Sequence, residues 1–271
     1  MPIASAQKAL RLVWIASALG FLVANPGFAA ESSKPVFLYS RYFNAKGEGR
    51  YLPDGQCRDV LERLRSSYDV RVNDEPLNAD TLKGVAVVLI SNPSDKAFRN
   101  NPAPPHMSTD DVRELTRFVQ SGGGLIAMGN QENHNLEIND FNQLLSQFGM
   151  KFVSNYTDAK PIAIPQDAPI IGGLRWAYYT GNQIVIDPNN AVHARPLVMN
   201  DGAKPLGGPR NPKGVLMAVT EPGKGHVVVV TDAGWITNDA LSGKGIGKVS
   251  IKEQDNWEIF LRLTNWAAGV K

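Results

Sequence analysis

The segment SGGGLIAMGNQENHNLE, Ser121–Glu137, decides how this chain is read. A helical pattern stops at three glycines, a short apolar strand follows, and then amide, carboxylate and imidazole groups crowd into a few positions. In an open α/β fold that is the place where a strand meets its ligand crevice. The strands before it fit the same architecture. Val85–Ile90 (VAVVLI) is a continuous apolar run of the kind buried on both faces of a parallel sheet. Pro35–Ser40 (PVFLYS) reads as another buried strand, and Tyr68–Val72 as a short one.

Helices alternate with these strands. Asp54–Ser66 carries Cys57, Val60, Leu61 and Leu64 on one face, with Asp54 as the expected N-cap. Ser108-Thr109-Asp110-Asp111 resembles a capping box with Asp in the Glu position, and opens a helix burying Val112, Leu115, Phe118 and Val119. The glycines at 122–124 are expected to stop it. Ile138–Phe148 places Ile138, Phe141, Leu144, Leu145 and Phe148 inward. Asn92–Met107 (NPSDKAFRNNPAPPHM) holds too many prolines and asparagines for helix or strand. This alternation predicts an α/β fold with a doubly wound, mostly parallel, flavodoxin-like sheet. From residue 151 to 210 the pattern changes to short β-like pieces at Pro161–Ile164, Gln183–Ile186 and Arg195–Met199, a β-rich elaboration of the same domain. Val215–Thr220 and His226–Thr231 form an expected hairpin. Asp255–Ala268 closes the chain as a helix.

The N-terminal region reads as a targeting segment. Lys8 and Arg11 precede an apolar run of thirteen, Leu12–Ala24, broken by Asn25-Pro26-Gly27. That is the layout of a signal peptide, and it is shorter than the roughly 20 residues of a membrane span. Cleavage after Ala29 leaves a single domain, residues 30–271, with a periplasmic or secreted location expected and no membrane span. The leader holds two of the 28 basic residues and none of the 26 acidic ones, so the remainder is charge-balanced. A nucleic-acid partner, which leaves a basic footprint, is not expected. The single cysteine, Cys57, excludes an internal disulfide and sits among core positions.

Residues following the predicted strands are the candidate ligand-binding set: Arg41; Asn92; Asn130, Gln131, Glu132, Asn133, His134 and Asn135; Asp232 and Trp235. Trp235 and the pair Tyr178–Tyr179 suit stacking on a sugar or peptide, or else, for Trp235, packing beneath the last helix. Glu132, His134 and Asp232 are a weak metal set, since zinc wants three or four N/S ligands and no H-E-x-x-H or EF-hand spacing is present. The glycines precede the strand rather than follow it, which does not suit a phosphate loop. No cofactor is expected.

The runs RFVQSGGGLIAMGN, FNQLLSQFG, GKGHVVVVTDAGWITND and DNWEIFLRLTNW resemble the class I glutamine amidotransferase-like superfamily, in particular its non-amidotransferase branches such as trehalose-utilisation-type proteins. The resemblance implies a strand-to-turn elbow that carries a nucleophilic cysteine in the amidotransferases, with histidine and glutamate after a later strand. Here the elbow position is Ala127 or Gly129, depending on register, and the later strand ends in Thr231-Asp232-Ala233-Gly234-Trp235 without histidine. The expectation is therefore a non-catalytic domain holding a small polar ligand, a carbohydrate first, or a protein partner. The rivals are a hydrolase using Glu132, His134 and Asp232, with or without a metal, and a structural assembly module.

Overall fold

The computed structural model describes residues 34–153, 160–201, 213–242 and 254–270. The expected signal segment, residues 1–29, lies outside them, as do parts of the β-rich stretch. Among the described residues no helix is long and apolar enough to cross a membrane.

The first half alternates as its pattern requires: β1 (Val36–Ser40), α1 (Arg58–Leu64), β2 (Asp69–Asn73), β3 (Val85–Ser91), α2 (Thr109–Gln120), β4 (Gly124–Met128) and α3 (Ile138–Ser146). The elaboration follows: β5 (Met150–Val153), β6 (Lys160–Ala163), β7 (Arg175–Tyr178), β8 (Gln183–Ile186) and β9 (Arg195–Asp201). Then come β10 (Lys213–Thr220), β11 (His226–Val230), the short α4 (Asn238–Leu241) and α5 (Asn256–Ala267).

Among the described residues nine strands make one mixed sheet in the order β2-β1-β3-β4-β11-β10-β8-β5, with β9 also on β10. The strands β2, β1, β3, β4 and β11 run parallel. A mostly parallel sheet was expected, and that holds for this half only: β10, β9, β8 and β5 are joined by antiparallel pairings. Short connections allow antiparallel partners where a parallel one needs a long crossover. β6 and β7 form a separate two-stranded sheet, and β5 and β7 are strands that the sequence pattern did not single out.

Strand alternation sends side chains to two cores. Ile126, Met128, Val228 and Val230 join Val60, Leu64, Phe260 and Leu263 of α1 and α5. Leu125, Ala127, Val227 and Val229 join Leu115, Val119, Phe141 and Leu144 of α2 and α3. The capping box at Ser108 is complete, with both reciprocal bonds to Asp111, and Asp111 also accepts from the Leu77 N–H at 3.2 Å.

Two details correct the sequence reading. Asp54 does not cap α1, which starts four residues later behind Cys57; Asp54 pairs with Arg41 at 3.0 Å instead. The glycines also divide their roles. Gly122 takes a positive φ of 120° just past α2, whereas Gly124 is the first residue of β4. A Cβ there would lie 2.2 Å from the Ala267 carbonyl oxygen. Gly124→Ala is expected to destabilise the fold by about 1–3 kcal/mol, as overpacking does. A urea midpoint equal to that of the parent would show that α5 yields freely.

Candidate functional site

Beyond Met128 the chain turns through Gly129 and Asn130 into a single 3₁₀ turn, Glu132–His134. Most of the polar burst is used to hold backbone. Asn92, fully buried at the end of β3, takes a positive φ of 49°. Its Oδ1 accepts from the Asn130 N–H at 2.8 Å, and its Nδ2 donates to the His134 carbonyl at 3.1 Å. Asn135, also at positive φ, donates to Glu48 and to the Lys96 carbonyl and accepts from the Lys96 N–H. Buried Gln131 donates to Thr180 Oγ1. Backbone groups at strand ends must find partners when buried, and these amides supply them.

Four of the candidate residues are therefore not free for a ligand. Asn92, Gln131 and Asn135 are occupied as described. Trp235 is wholly buried, its ring edge-on to Trp176 and Phe260 at centroid distances of 5.8 Å, so it packs under α5 rather than stacking on a sugar. Tyr178 is buried too. Arg41 stands elsewhere: its guanidinium is held by Asp74 and Asp54, each at 3.0 Å, and it lines a different cavity with Tyr42 and Asp74. Asn133 is exposed, and the Glu132 side chain lies outside the described residues.

Asn130, His134 and Asp232 do meet. They line a cavity of about 440 Å³ with Arg50, Tyr51, Gln56, Tyr179, Thr180, Gly234, Thr237 and Asp239. The cavity opens at the carboxyl ends of β4 and β11, under the loop that follows β7. Asp232 anchors that loop. It is fully buried, its Oδ2 accepts from the Tyr179 N–H at 2.9 Å, and its Oδ1 accepts from the Gly234 N–H at 2.6 Å. Asn182 Nδ2 donates to the Asn130 carbonyl at 2.5 Å. Gly181 lies so close that a Cβ would sit 1.6 Å from the Thr231 carbonyl oxygen.

Burial pushes the Asp232 carboxyl from its ordinary 3.8 up to about 7, against the pull of N–H donors from Tyr179, Gly234, Thr180 and Trp235. Burial, with the Arg50 charge, lowers the pKa of His134. Burial and then the Asp232 charge raise the Tyr179 hydroxyl beyond reach of neutral pH. Cys57 stays in the core, its thiol pushed up to about 12 by burial, so it is no nucleophile.

The sequence reading missed Arg50, Tyr51, Gln56, Thr180 and Thr237. Arg50, Tyr51 and Gln56 reach the strand ends from the connection after β1, and nothing local marks them; Thr180 and Thr237 sit beside Tyr179 and Trp235, and Thr237 carries the mark of an N-cap, that of α4. A carboxylate–imidazole group, His106, Glu137 and Asp140, also lies within ligand reach of a cation. Glu137, however, caps α3 through the Asn139 and Asp140 N–H groups, and His106 is bonded to Asp140.

No family model and no curated protein matches the chain. Solved structures do. The N-terminal domain of mmIFT52 is 14% identical, with 86% of this chain and 96% of that one covered and a TM-score of 0.61. A thua-like protein from Bacteroides uniformis is 10% identical, covers 90% and 95%, and has a TM-score of 0.56. A cytoplasmic protein from Salmonella typhimurium is 12% identical, covers 86% and 98%, and has a TM-score of 0.51. At such identities the likeness establishes a common fold and nothing more.

Two outcomes follow. Asn92→Ala strands the buried Asn130 N–H, so it is expected to cost roughly 1–3 kcal/mol; an unchanged urea midpoint refutes the latch. For Asp232, the unfolded chain releases the proton near 3.8 and the folded chain near 7. Its favourable contribution is complete below the lower value, declines as pH rises between them, and is gone above the upper one. The stability difference between parent and Asp232→Asn should shift against the parent by on the order of 4 kcal/mol across that window. Denaturant melts at several pH values that leave the difference flat would contradict it.

Proposed function

We propose that this chain is an exported, non-catalytic α/β domain that holds a small polyhydroxyl ligand in the cavity at the ends of β4 and β11. One observation carries the reading. Tyr179 is only 4% exposed, yet its hydroxyl finds no hydrogen-bond partner among the described residues, and neither does His134 Nδ1; both residues line the same cavity. An unpaired buried polar atom costs about 1–3 kcal/mol, and a ligand with hydroxyl groups would relieve that cost. The volume falls in the range of small-molecule sites, and aromatic walls with a few directional polar groups are their usual lining.

A sugar is the first ligand class because the sequence resembles trehalose-utilisation-type proteins and the fold is shared with a thua-like protein. Export rests on the charged start and apolar run of the first 29 residues. The elbow supports binding rather than acyl transfer, because Ala127 and Gly129 offer no nucleophile. Asp232 is a poor reacting acid, since both of its oxygens already accept from backbone N–H groups.

A thermal-shift screen of the full chain against neutral and acidic mono- and disaccharides tests this. A ligand at a hundred times its Kd adds about 2.7 kcal/mol, which raises the Tm of a chain this size by several degrees. Tyr179→Phe is expected to shrink that rise. A flat Tm across the whole panel would sink the proposal.

A further inference from the structure

Three hydroxyls on the cavity wall keep protons that no acceptor among the described residues takes. Tyr51 Oη accepts from Asn130 Nδ2 at 3.0 Å, and Thr180 Oγ1 accepts from Gln131 Nε2. A hydroxyl already engaged by a donor turns its own proton toward an acceptor. Among the described residues no acceptor takes either proton, and the buried Tyr179 hydroxyl is unpartnered altogether. Three hydroxyl donors thus meet in one cavity.

Arg50 stands with them. It is exposed, its guanidinium lies 5.7 Å from the centre of the Tyr51 ring, and no carboxylate pairs with it among the described residues. The Tyr51 ring lies beneath it and the Tyr51 hydroxyl also accepts from its side chain; a guanidinium has five N–H donors, so others remain for a ligand. A guanidinium matches the paired oxygens of a carboxylate or phosphate, and binds them more strongly than neutral acceptors.

Two acids oppose a negative ligand. Asp239 lies exposed on the lining, where solvent screens it. Asp232 is buried, with its oxygens turned to backbone N–H groups. His134, the remaining titratable neighbour, adds a ring nitrogen rather than a negative charge.

Building on the sugar-binding reading, we propose that the ligand is an acidic sugar. Its carboxylate or phosphate is bound by Arg50, while the hydroxyls of Tyr51, Tyr179 and Thr180 donate to its remaining oxygens.

Isothermal titration of the full chain with matched hexoses, hexuronates and hexose 6-phosphates, in the gluco, galacto and manno series, tests this. At least one acid should bind roughly tenfold or more tightly than its neutral counterpart. Whether the uronate or the phosphate does so identifies the anion. Arg50→Gln, at an exposed position and with an unchanged Tm, should cost the acid roughly tenfold or more in affinity and cost the neutral sugar less. Neutral sugars binding as tightly as both acids, or an acid affinity indifferent to Arg50→Gln, would overturn the acidic-sugar inference alone. No binding by any of the sugars would overturn the sugar reading and this inference with it.

Discussion

A carboxyl shut away from water holds the loops at the strand ends of this fold together. Asp232 follows β11, and its two oxygens take N–H groups from the loop after β7 and from its own turn. Without it, the N–H groups of Tyr179 and Thr180 would lose their acceptor. With it, that loop lies flush against β11, close enough that only glycine fits at position 181. Gln131 and Asn182 then fasten the same loop to the end of β4. The cavity exists because this loop is pinned from both strands.

The same constraint explains the crowded rim after β4. Parallel strands end with backbone groups that are buried by the loops above them, and each needs a partner. Asn92, Asn130 and Asn135 supply those partners and tie the rim to the loop after β3. What looks like a dense set of ligand groups is mostly internal stitching. The groups left on the cavity wall include hydroxyls, one imidazole, one guanidinium, the Gln56 amide and the Asp239 carboxylate, drawn from four separate stretches of chain. Fold neighbours of unrelated description share this scaffold, as expected when sites are grafted onto a common architecture.

Several elements were legible from local chemistry. A continuous apolar run marked β3 as a strand buried on both faces, shorter apolar runs marked β4 and β11 as strands, and a 3.6-residue rhythm with a Ser–Asp box marked α2. That β4 and the turn after it carry no cysteine, serine or threonine needed only residue identities. The antiparallel half was harder. β5 and β7 are four residues each, too short for a periodicity to show. Asp54 had the chemistry of an N-cap, yet the Arg41 guanidinium, reached only through folding, claimed it.

The amino-acid sequence alone determined which segments are buried, where helix α2 begins and that β4 and the turn after it carry no cysteine, serine or threonine, because each depends on residues a few positions apart. Only the tertiary structure decided which polar residues face the cavity. Asn130 meets Tyr51 across 79 positions and Asp232 meets Tyr179 across 53. Whether an amide binds a ligand or a backbone group depends on the partner that folding brings within 3 Å, and at such separations no local pattern records it.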